Sequence, residues 1–331
     1  MRPALCLLLC VLGAALPLPA QPKLLVNANV DTRSAAAGLE REFRALLSTA
    51  PQPAWIGYEV PVVRGSDLSC EYVRDGFAAP GVIHLEPPDH AVILFRVEAN
   101  AVGKLRSVSP DCEIDAGGLP VHWLTAVRPA ESVALLATFV PRRELDSNGA
   151  VAAIAAHADA AADPVLDGLV AANQPEWLRR NAASLVGAQR GRHGVEVLKG
   201  VLANDPSERV RQSAIAGLSR SREAEALDLL LSAARGAHDA QTRAQAISAL
   251  ARKPGQPVLD TLNQAIALDP DATVRRRAVD TLGALPDSAG IPLLIQLVKT
   301  SKDAEVRKQA MNRLRNSGDA RAEAFFEEVL K

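Results

Sequence analysis

The chain has 331 residues, 37 basic and 38 acidic, and is therefore close to neutral. That excludes the broad positive field by which proteins hold a nucleic-acid polyanion. Aromatic residues are only 3% of the chain and none lies between Leu178 and Ala324, so most of the C-terminal half offers no stacking platform for single-stranded nucleic acid.

Residues 1–20 carry one early charge, Arg2. A short apolar run follows (Leu5, Leu7, Leu8, Leu9, Val11, Leu12) and ends at Leu18-Pro19-Ala20. This pattern predicts a secretory signal peptide cleaved near Gln21, and with it a periplasmic or secreted protein. The run is broken by Gly13, Pro17 and Pro19 and is too short to span a membrane. A lipoprotein signal ending at Cys10 is the rival, and Leu9 before it argues against that pattern. Removal of residues 1–20 takes away Cys6 and Cys10 and leaves Cys70 and Cys112. In an oxidising compartment these two are expected to form a disulfide. Its loop of 42 intervals (112 minus 70) corresponds to about 4 kcal/mol in the chain-entropy treatment.

Residues 21–128 read as a small disulfide-linked α+β domain. Leu39, Phe43, Leu46 and Leu47 place a helix near 34–48, and extended runs follow at Ile56–Val63, Val82–Leu85 and Val92–Val97. Asn100 to Gly103 is expected to turn into Lys104–Val108 as a hairpin. Two sets of residues have metal-compatible chemistry. His84, Glu86, Asp89 and His90 form a mixed nitrogen and oxygen set, but Pro87 and Pro88 make an exposed turn the plainer reading. Asp111, Glu113 and Asp115 could present alternating oxygens to calcium, or simply form a solvated loop beside Cys112. Neither is taken as a metal site, and no cofactor is expected. Trp55 and Trp123 read as core, and His157, His193 and His238 have no evident acid–base neighbour.

From Pro129 onward the pattern becomes helical, with Val133, Leu136 and Phe139 on one face and a degenerate first pair over 129–158. A phrase then repeats every 32 residues. It reads Leu178-Arg179-Ala182-Val186, Val210-Arg211-Ala214-Leu218, Thr242-Arg243-Ala246-Leu250, Val274-Arg275-Ala278-Leu282 and Val306-Arg307-Ala310-Leu314. A fixed period of this size means stacked supersecondary units. The i, i+4, i+8 spacing is one face of a helix, and Ser207, Asp239, Asp271 and Asp303 stand where N-caps belong. A second apolar helix lies between successive phrases, marked by Leu198, Leu230, Leu262 and Leu294. Each unit is therefore two helices and two short turns. A last helix, 320–330, is expected to cap the stack with Phe325 and Phe326, leaving Glu327, Glu328 and Lys331 to water.

These helix pairs resemble HEAT repeats, in particular the short bacterial repeats of the phycobilisome lyases. The resemblance covers about residues 147–331 and implies a mainly α fold: a right-handed α-solenoid over 129–331, preceded by the α+β domain. The family's recurring Asp and Arg correspond to Asp239/Arg243, Asp271/Arg275 and Asp303/Arg307. Four apart, they can pair along one helix or bridge to the next repeat. Ser207 before Arg211 and Pro175 before Arg179 depart from this, so a weaker ladder is expected there. The resemblance also implies that the second helix of each pair lines the concave face.

No phosphate-binding glycine loop, nucleophile elbow or zincin motif occurs. HEAT-like di-iron hydroxylases use His-Glu pairs, and none of the six histidines here is followed by Glu. DNA glycosylases of this type need an aromatic base pocket that the repeats lack. The sequence therefore reads as a non-enzymatic exported scaffold that binds a protein partner. The alternative is a cell-envelope enzyme with its site in the N-terminal domain, signalled by a cleft holding His84, His90 or His122 with Asp111. On the second helices the solvent side is expected to carry Arg276, Arg277, Asp280 and Thr281, then Lys308, Gln309, Asn312 and Arg313, with Gln212, Ser213 and Ala216 further back. Of these, Arg276, Arg277, Lys308 and Arg313 form a mildly basic stripe suited to an acidic protein surface; ordinary solvating charge is the plainer reading.

Overall fold

The computed structural model describes residues 25–66, 68, 89–141, 147–237 and 239–329. Expectations for residues 1–20, Cys70, Val82–Leu85, His84, Glu86, His238 and Lys331 lie outside them.

A five-stranded mixed sheet comes first. Its strands are β2 (Asn29–Ser34), β3 (Ala54–Pro61), β4 (His90–Glu98), β5 (Ala101–Val108) and β7 (Pro120–Thr125), in the order β2-β7-β3-β4-β5. β7 runs parallel to both β2 and β3, while β3-β4-β5 is antiparallel. A separate two-residue pair joins β1 (Leu25–Val26) to β6 (Ile114–Asp115). The β4–β5 hairpin turns at Ala99 and Asn100, both at positive φ, rather than over Asn100–Gly103. Two consecutive left-handed residues match the right-handed twist of the flanking strands, and Gly103 is left inside β5.

Both faces of the sheet are buried. Helix α1 (Leu39–Thr49) and helix α2 (Pro129–Ala137) cover one face. Phe43, Phe95 and Phe139 pack there with ring centroids 4.8, 6.1 and 5.3 Å apart. Ser132 donates to the hydroxyl of buried Tyr58 at 3.0 Å. The other face holds a smaller cluster of Val92, Leu94, Val108, Cys112 and Trp123. Trp123 is core, as its size suggests, and Trp55 packs partly buried beside it.

The remainder is helical. Six helices belong to the second, phrase-bearing set: α3 (Ser147–Ala156), α5 (Glu176–Gln189), α7 (Glu208–Arg220), α9 (Ala240–Leu250), α11 (Ala272–Gly283) and α13 (Ala304–Arg315). Between them lie α4 (Ala162–Val170), α6 (Gly191–Asn204), α8 (Ala224–Gly236), α10 (Gln256–Leu268) and α12 (Ile291–Thr300). The last helix, α14 (Ala320–Val329), closes the stack on α12. Phe325 is buried there, and Lys299 Nζ sits 5.3 Å from its ring centroid. The phrase-bearing helices pack more closely on one another than the intervening helices do.

Sheet and solenoid share one core, which runs from Ala35 to Phe325. The seam is hydrogen-bonded as well. Val62 bridges His157, Val63 N–H donates to Ala156 O at 2.7 Å, and Ala158 N–H donates to Pro61 O at 3.0 Å. The end of β3 is thereby fastened to the end of α3.

Candidate functional site

The ladder arginines do two jobs at once. Arg211, Arg243, Arg275 and Arg307 each donate from Nη1 to the carbonyl six residues earlier: Asp205, Ala237, Asp269 and Ser301, at 2.8, 2.9, 3.0 and 2.8 Å. Those carbonyls end α6, α8, α10 and α12, where helix oxygens lack intrahelical donors. Arg179 instead donates to Gln174 O, five residues earlier in the turn after α4.

In Arg179, Arg211, Arg243 and Arg275 the other end of the guanidinium reaches forward into the next repeat. Arg211 meets Asp239 at 2.8 Å and Arg275 meets Asp303 at 3.6 Å. Arg179 takes Asp205 at 2.9 and 3.2 Å, and Arg243 takes Asp269 at 2.8 and 3.0 Å. The ladder thus bridges repeats and does not pair along one helix. Asp239, Asp271 and Asp303 are also N-caps, accepting from Thr242, from Thr273 and Val274, and from Glu305 and Val306. Burial raises the Asp239 carboxyl, but hydrogen bonds from Thr242 and Arg211 outweigh it and hold the pKa below the ordinary value. The Val274 and Thr273 amides do the same for Asp271.

One expectation is corrected. The repeat with Pro175 does not have the weakest link: the Arg179 and Asp205 side chains are 8% and 3% exposed, the most buried pair of the ladder. The sequence pattern looked four residues before the arginine, whereas Asp205 and Asp269 stand 26 residues after theirs.

A second ladder runs along the opposite edge and was not anticipated. Arg190 donates to His157 O and, from Nε, to Asp163 at 2.7 Å. Lys253 Nζ donates to Ser221 O at 2.7 Å, and Arg321 to Ser288 O at 3.0 Å. Each donor lies 32 or 33 residues beyond its acceptor, so the repeat period itself could have revealed the set.

With the ladder residues engaged, the stripe on α11 and α13 can be judged. Arg276, Arg277 and Lys308 are exposed. Arg313 is held by Asp280, at 2.8 Å from Nε and 2.7 Å from Nη2, and Gln309 donates to the same carboxylate. Thr281 corrects the expected face: it is 4% exposed and donates to Arg277 O at 2.8 Å, because it sits beside Leu282 on the core side. Gln212, Ser213 and Ala216 are half-buried. The cationic part of the stripe therefore narrows to Arg276, Arg277 and Lys308.

Among the described residues the N-terminal candidates do not converge. His90 Nδ1 lies 2.8 Å from Asp89 on the surface. His122 is buried with Nδ1 3.4 Å from Asp31, and Asp111 accepts from Ser109 Oγ at 3.2 Å. Asp115 accepts from Gly117 N–H at 2.7 Å. Among the described residues no three His, Cys, Asp or Glu side chains are grouped to hold a metal. A cavity of about 320 Å³ does open beside Trp55, Leu94, Lys104, Arg106, Cys112 and Ile114, and its described lining includes no histidine.

Two helices per unit, a 32-residue period and arginine links between units define a HEAT-type solenoid. The chain carries HEAT repeats: that family's description matches residues 162–251 and 259–331. No curated protein matches. Among solved structures, the complex of CpcE and CpcF of phycocyanin lyase from Nostoc sp. PCC7120 is similar at 21% identity and TM-score 0.34, covering 47% of this chain and 99% of that one. Human deoxyhypusine hydroxylase in complex with glycerol is similar at 18% identity and TM-score 0.27, covering 60% and 77%.

Proposed function

We propose that this chain is a non-catalytic, exported scaffold that binds an acidic protein surface through α11 and α13. One observation carries the reading. Arg276, Arg277 and Lys308 stay exposed, with no ion pair among the described residues, while the ladder arginines are engaged. HEAT stacks present such curved faces for binding proteins. Rim charges of this kind govern the association rate and its salt dependence more than they govern affinity.

Export supplies the oxidising setting for the second element of the proposal, a Cys70–Cys112 disulfide. Cys112 is buried at 4% exposure in the small cluster beneath the sheet, away from bulk reductant. The functional test uses a partner captured from the producing cell. Arg276→Glu with Arg277→Glu should slow association at low salt about tenfold and flatten its salt dependence, with an unchanged thermal midpoint. Wild-type association rates in that variant would return both residues to the solvated surface.

A further inference from the structure

We draw no further inference here: the strongest candidate, the groove of about 150 Å³ between α11 and α13 lined by Arg275, Arg276, Asp303, Glu305 and Val306, belongs to the face already described and sets two carboxylates against its two arginines, so nothing in the structure shows what would occupy it.

Discussion

His157 is fully buried at the seam, and neither ring nitrogen has a partner among the described residues. Burial drives its pKa down from 6.5 to about 4, with the Arg190 charge adding to that effect and the Asp159 charge opposing it. The folded state therefore refuses a proton that the unfolded chain accepts between pH 6.5 and about 4. Stability contributed by the neutral ring is complete above 6.5, falls as pH drops through that window and levels off below it. Between pH 7 and 5 the loss should be about 2 kcal/mol. Urea denaturation at the two pH values checks this: His157→Leu should lose less than wild type by that amount, and equal losses would refute it. The arginine ladder offers a graded comparison. Asp205→Asn leaves Arg179 buried without a counterion and should cost about 3–5 kcal/mol in the same assay. Asp303→Asn should cost less than about 1 kcal/mol, because the Arg275–Asp303 pair is long and partly exposed and Asn still caps α13.

At the scale of helices, close approach sets the packing. Ala214, Ala246, Ala278 and Ala310 are fully buried along the phrase-bearing helices. Between α5 and α7 even a methyl group is excluded: a Cβ on Gly217 would lie 2.6 Å from Ala183 O, and one on Gly187 would lie 2.8 Å from the Gly217 carbonyl carbon. Gly217→Ala in an open helix would stabilise by about 1 kcal/mol through propensity. Here the sign should reverse to a loss of about 1–3 kcal/mol, and Ala278→Leu should cost a similar amount. A raised denaturation midpoint for Gly217→Ala would contradict the contact. The alanines were readable in the sequence because they recur with the period. Gly187 was not, since its importance lies in a neighbouring backbone 30 residues away.

Across the whole molecule, what could be read from sequence tracks contact range. The solenoid was legible because each 32-residue unit repeats the same local pattern and touches its neighbours. The N-terminal sheet was only partly legible. β3 and β4 are largely apolar runs, but β2 reads Asn-Val-Asp-Thr-Arg-Ser with nearly every side chain exposed. Its partner β7 lies 91 residues away in parallel register, and no local pattern signals such a pairing. The stripe was half legible for a related reason: Asp280 and Arg313 belong to different repeats, and their pairing cancels a charge that each helix alone displays. The proposed disulfide has its own check. Alkylation of the exported protein without reductant should modify neither Cys70 nor Cys112, and two alkylated thiols would remove it. The scaffold account is tested most directly by hydrogen–deuterium exchange of the full chain with and without its captured partner. The account predicts new protection concentrated in peptides from α11 and α13. Protection confined to the N-terminal sheet, or to α8, α10 and α12, would contradict it.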